Sequence, residues 1–138
     1  MKIPYGRQDI TAADIDAVVD VLRSDFLTQG PAVTRFEAAL AERVGARHAV
    51  AVCNATAALH VACLAMGLGE GDLLWTVPNT FVASANCGRY CGADVDFVDI
   101  DPVTWNVSVP ALRAKLETAR ANGRLPKIFV AVDRKSVV

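Results

Sequence analysis

An α/β fold, with a mostly parallel sheet and helices on both faces, is what this sequence predicts. Three observations point there. Short apolar runs recur along the chain, as HAVAVC, LLWTV, VDFVDI and KIFVAV. Segments of helix length, apolar at three- and four-residue spacing, separate them. Crossovers of that length join parallel strands, which are covered on both faces and therefore apolar throughout.

The elements follow in order. TAADIDAVVDVLRSD opens with Thr11 and Asp14 in capping-box spacing and places Ile15, Val18, Val19 and Leu22 on one stripe, which predicts an amphipathic helix. PAVTRFEAALAERVG begins after Gly30-Pro31, aligns Val33, Phe36, Leu40 and Val44, and ends at Gly45, predicting a second helix. HAVAVC predicts a strand, ATAALHVACLAM a helix, LLWTV a strand and TFVASANCGRY a helix. VDFVDI predicts a strand, VPALRAKLETARA a helix closed by Asn122-Gly123, and KIFVAV a last strand. No repeat, low-complexity tract or linker interrupts the series.

Composition excludes several classes. With 138 residues, 53% of them hydrophobic, the chain can bury a sizeable core in one domain. Fourteen Lys plus Arg against fifteen Asp plus Glu leave no basic stripe for nucleic acid or an anionic membrane. No apolar stretch follows Lys2, so a signal peptide is not expected. The run from His48 to Gly69 is long enough to span a bilayer, but Asn54, Thr56 and His60 near its centre predict a strand followed by a helix instead. Cys53, Cys63, Cys87 and Cys91 lack further ligands at compact spacing, so buried free thiols in a reducing, cytoplasmic setting are expected, and no metal.

Ligands in such a sheet settle where strands end and helices begin. Three junctions fit. At Cys53-Asn54-Ala55-Thr56, a helix start exposes unpaired amides with the positive end of its dipole behind them, a site suited to phosphate. Small alanines leave room, and the Thr56 hydroxyl adds a donor. The plainer reading is that Asn54 caps the helix and the alanines pack closely. Neither G-x-G-x-x-G nor G-K-[ST] is present. At Pro78-Asn79-Thr80-Phe81, the aromatic ring either covers a flat ligand or fills the core. At Asp99-Ile100-Asp101-Pro102, two carboxylates bind a metal, act as acid and base, or start a turn, and the turn is favoured. His60 reads as a packed helical histidine.

Taken together, YGRQDIT, SDFLTQGPAVTRFEAALAERVGARHAVAVCNATAALH, VPNTFVASANCGRYCGADVDFVDID and TWNVSVPALRAKLE resemble the amino-terminal part of the DegT/DnrJ/EryC1/StrS sugar aminotransferases, which depend on pyridoxal 5'-phosphate (PLP). Within that family the wording is closest to the UDP-4-amino-4,6-dideoxy-N-acetyl-β-L-altrosamine transaminase branch of pseudaminic acid synthesis. The resemblance implies that residues 1–132 are the amino-terminal part of a fold type I large domain. It implies that Ala55 and Thr56 hold the cofactor phosphate and that Phe81 stacks on the pyridine ring. It also implies that Tyr5, Asp25, Phe26, Leu27 and Thr28, with Ala55, approach a UDP-sugar. The amino group would come from glutamate, and the intact enzyme would be a homodimer.

The sequence departs from the family in one respect. The Schiff-base lysine and the carboxylate that partners the pyridine nitrogen belong to motifs absent here, so no catalytic residue is assigned and the chain alone is expected to be inactive. Lys115 reads as part of a solvated helix face, and Lys127 as a strand start. The closing DRKSVV, residues 133–138, matches a translated sequencing adapter and is expected to be non-native. Other readings stay open: a non-catalytic phosphate- or nucleotide-binding α/β domain, a PLP-dependent sugar dehydratase of the same fold, or a piece that does not fold independently.

Overall fold

The computed structural model describes residues 8–133. Tyr5 lies outside them, as does nearly all of the 133–138 tail. The chain divides after Ala51 into two compact units.

The first unit holds two helices whose ends are as the sequence predicts. In α1 (Ala12–Arg23) the Thr11 hydroxyl accepts the Asp14 amide at 3.4 Å, while the Asp14 carboxylate accepts the Thr11 amide at 2.8 Å. That reciprocal pair satisfies two of the helix's orphan donors. Bonding from the Thr11 amide, then from its hydroxyl, holds the Asp14 carboxyl below the usual range. Helix α2 (Pro31–Val44) starts with Pro at its first position and stops at Gly45, whose φ of 66° is the left-handed turn that glycine tolerates. Neither helix buries a single residue, although both carry apolar stripes.

The second unit contains the sheet. Its elements are α3 (Ala55–Ala65), β1 (Leu73–Thr76), α4 (Ala83–Tyr90), β2 (Asp94–Phe97), α5 (Val109–Ala121) and β3 (Ile128–Phe129). The strands are parallel in the order β2-β1-β3, with Leu74 opposite Val95 on one side and Ile128 on the other. Being central, β1 is the most buried, and Leu74, Trp75, Thr76 and Val77 are all at most 2% exposed. Alternation sends Leu74 and Trp75 to opposite faces. Leu74 packs with Cys63 of α3 and Cys87 of α4, whereas Trp75 packs with Ala119, Leu112 and Leu116 of α5. Helices therefore cover both faces of a parallel sheet, the predicted fold class.

Two expectations need correction. HAVAVC (48–53) is not a strand: residues 48–52 have no regular structure, and no ladder bond reaches them among the described residues. A strand exists only against a partner edge, and the three paired strands do not serve it; the Ala51 amide instead donates to the Glu37 carboxylate at 2.8 Å. Helix α4 begins at Ala83, not Thr80, because Thr80 uses its hydroxyl on Ser84 at 2.8 Å and the chain from Pro78 to Thr80 bends. Among the described residues, no helix is long and apolar enough to cross a membrane.

Candidate functional site

The head of α3 is built by one asparagine. Asn54 is the N-cap, with extended backbone, and its Oδ1 accepts the Ala57 amide at 2.9 Å; its carbonyl accepts the Ala58 amide at 3.1 Å. The capping reading is thus correct, but it uses only part of the helix end. The amides of Ala55 and Thr56 have no partner among the described residues, nor does the Thr56 hydroxyl. Ala55 is exposed and Thr56 half-buried. A helix of three turns places its positive dipole end behind those donors, and no large side chain of the first turn stands in front of them.

Phe81 lies in the same unit, in the loop between β1 and α4, and is 72% exposed. Its ring is therefore not part of the core of this unit. Its carbonyl accepts the Ser84 amide at 3.0 Å, so the residue is tied to the first turn of α4. Below it the strand end is fixed, since Thr76 is fully buried and its hydroxyl donates to the Val130 carbonyl at 3.0 Å.

Asp25, Phe26, Leu27 and Thr28 occupy the bend between α1 and α2 in the first unit, and Phe26 and Leu27 are exposed. The bend is tight: a Cβ on Gly30 would meet the Phe26 carbonyl oxygen at 2.8 Å. Gln29 adopts a φ of 54°, the left-handed conformation, to complete it.

The third junction is a turn, as favoured. Asp101 Oδ1 accepts the amides of Val103 and Thr104 at 2.9 and 2.8 Å and the Thr104 hydroxyl at 3.1 Å. The amide bonds, that of Thr104 first, keep its carboxyl below the usual range. No group of three or more His, Cys, Asp or Glu among the described residues could hold a metal ion.

Both described lysines are engaged. Lys115 does not simply extend a solvated face. Its ammonium pairs with Asp96 at 2.7 Å, donates to the Phe97 carbonyl at 2.5 Å, and sits 4.9 Å above the Trp75 ring. Lys127 ties the Gly67 carbonyl at 2.6 Å to Asp72 at 2.8 Å. His60 is packed, edge-on to Tyr90 with ring centroids 5.3 Å apart. Cys53 is exposed, contrary to the buried setting expected, while Cys63 and Cys87 are buried and Cys91 is intermediate. The sequence carries no signal for Trp105, which is 57% exposed at a φ of 63° after β2.

Residues 8–133 match the DegT/DnrJ/EryC1/StrS aminotransferase family. The chain belongs to that family. The UDP-4-amino-4,6-dideoxy-N-acetyl-beta-L-altrosamine transaminase of Campylobacter jejuni is 42% identical over 114 residues, which is 83% of this chain and 30% of that protein. The solved structure of Helicobacter pylori PseC, an aminotransferase of pseudaminic acid biosynthesis, superposes with a TM-score of 0.86 at 31% identity, over 99% of this chain and 36% of PseC. Spr1654 of Streptococcus pneumoniae, solved in PLP and PMP (pyridoxamine phosphate) forms, gives 0.76 at 32% identity over 83% of this chain and 29% of its own. The chain spans about a third of the length of the curated relatives it matches. The family's cofactor is PLP. An anionic phosphate suits the two unpartnered amides of α3, and a flat ring suits the exposed Phe81, so the residues present fit that group.

Proposed function

We propose that this chain forms the cofactor-phosphate part of a sugar aminotransferase whose substrate is a UDP-linked deoxy-N-acetyl sugar, aminated at a keto carbon as in pseudaminic acid biosynthesis. Glutamate is the proposed amino donor, and a cytoplasmic homodimer the proposed assembly. The observation that carries the reading is the pair of unpartnered amides, Ala55 and Thr56, at the capped head of α3. The sugar class rests on what the Campylobacter and Helicobacter relatives are named for.

Each residue has a definite task in this reading. Asn54 fixes the first turn, so the amides of Ala55 and Thr56 need no rearrangement to receive a phosphate. The Thr56 hydroxyl adds a third donor, and the small side chain of Ala55 lets the anion approach. Phe81 covers one face of the pyridine ring and keeps water from it. The family resemblance supports roles in sugar-nucleotide recognition for Tyr5, Asp25, Phe26, Leu27 and Thr28, and for Ala55. When bound, the cofactor supplies an electron sink for the amino-group transfer. Because Lys115 and Lys127 are both tied into ion pairs, neither is free to move a proton at the reacting carbon. We infer that these 138 residues alone are inactive, because the family's Schiff-base lysine motif is not among them.

Titration with PMP tests the phosphate site, because PMP has no aldehyde to label stray lysines. Saturable binding, competed by inorganic phosphate and weakened at least tenfold (about 1.4 kcal/mol) by Thr56→Asp, is expected. Equal binding to the Thr56→Asp chain would refute the site.

A further inference from the structure

The outer side of β2 is an edge strand whose backbone is guarded by side chains. Its register on β1 sets Asp96 opposite Trp75, and the Asp94 and Val98 amides donate to the Asp72 and Thr76 carbonyls at 3.0 and 2.8 Å. Residues 94, 96 and 98 therefore turn their amides and carbonyls toward β1. Alternation turns those of Val95, Phe97 and Asp99 the other way, along an edge that no strand covers among the described residues.

That edge is closed from its far end. The Asp99 carbonyl accepts the Ser108 amide at 2.9 Å, where the chain returns through the Ile100–Val107 bridge. At Phe97 two side chains take over. Asp96 Oδ1 accepts the Phe97 amide at 2.7 Å, and Lys115 Nζ donates to the Phe97 carbonyl at 2.5 Å. Asp96 Oδ2 and Lys115 Nζ, 2.7 Å apart, lock the two together. Val95 alone stays open, since no loop or side chain among the described residues bonds its amide or carbonyl.

We propose that Asp96 and Lys115 form a clasp that keeps a second copy of this chain from adding its own β2 to this edge. Uncovered strand edges are templates for such pairing, and this one is self-complementary. With two copies antiparallel about a two-fold axis at Asp96, Val95 of each lies opposite Phe97 of the other, and each such pair exchanges two N–H···O bonds. Asp96 opposes the pairing twice. Its Oδ1 occupies the amide that would bond, and its carboxylate would face its own copy across the axis, where like charges repel. Lys115 occupies the carbonyl. The inference is independent of the cofactor reading.

Site-resolved hydrogen exchange on the 138-residue chain tests the clasp without any substitution. The Phe97 amide should be roughly tenfold better protected than the Val95 amide, whatever the protein concentration. Asp96→Ala with Lys115→Met opens the edge, and Asp96→Ala alone serves if the double variant does not fold. In the opened chain, Phe97 should lose its protection at low concentration. Val95 and Phe97 should then gain protection together as concentration rises, with an association step in sedimentation that the unsubstituted chain lacks. Adding Val95→Pro removes an outward amide without costing a bond to β1, and should abolish that step. Equal protection of Val95 and Phe97 in the unsubstituted chain, exchange in the opened chain that ignores concentration, or association that survives Val95→Pro would each overturn the proposal.

Discussion

Lys115 gains from three neighbours that belong to two different strands. The Asp96 carboxylate and Phe97 carbonyl come from β2, and the aromatic face comes from Trp75 at the centre of the sheet. Lys115→Met keeps the stem and removes the charge, so a loss of about 1–2 kcal/mol is expected in urea denaturation. Its pH signature is specific. The hydrogen bond from Lys115, opposed by burial, holds the Asp96 carboxyl below its ordinary value. A depressed carboxylate stabilises the fold above the unfolded value of about 3.9 and loses that contribution as pH falls through the folded value. Unsubstituted protein should therefore lose more stability between pH 7 and pH 3 than Lys115→Met does. Equal losses would remove the pair from the account.

At the scale of elements, the ends of α1 and α2 and the head of α3 were legible because caps are local, whereas α4, which no side chain caps, was placed three residues early. Thr11 with Asp14, Pro31 with Gly45, and Asn54 each declare a boundary within four residues of themselves. The LLWTV strand was equally plain from its apolar run. HAVAVC was not, since an apolar run says nothing about whether a neighbouring strand is there to bond it. The proposed anion site at the α3 head was legible only as one of two readings, and the family resemblance favours it over a bare cap. Lys115 was misread because its partners lie 18 to 40 positions away in sequence. Asn54→Ala isolates the cap: α3 should lose about 1 kcal/mol, and the Ala57 amide should exchange with solvent markedly faster. Unchanged exchange would show that tertiary packing alone holds the first turn.

For the molecule as a whole, the two units are unequal. The second has two buried clusters on either side of its sheet, whereas the first has helices without a buried residue and leaves Ile15, Val18, Leu22, Val33, Phe36 and Leu40 exposed. Burial is the main stabilising term in folding, so the units should melt separately. Both tryptophans, Trp75 and Trp105, lie in the second unit. Tryptophan fluorescence should therefore report a later urea transition than far-UV circular dichroism, which sees every helix, and a hydrophobic dye should bind before either. Superimposable curves without dye binding would contradict this. 

The strand order has a temporal side. The middle strand is flanked by one neighbour about twenty residues later and another more than fifty residues later, and Thr76 waits for the carbonyl of Val130. Contacts so distant in sequence make folding slow. During synthesis on a ribosome, then, Leu74 to Val77 must stay half-clamped until Val130 has cleared the exit tunnel, a window in which a chaperone that grips apolar extended chain would find its substrate.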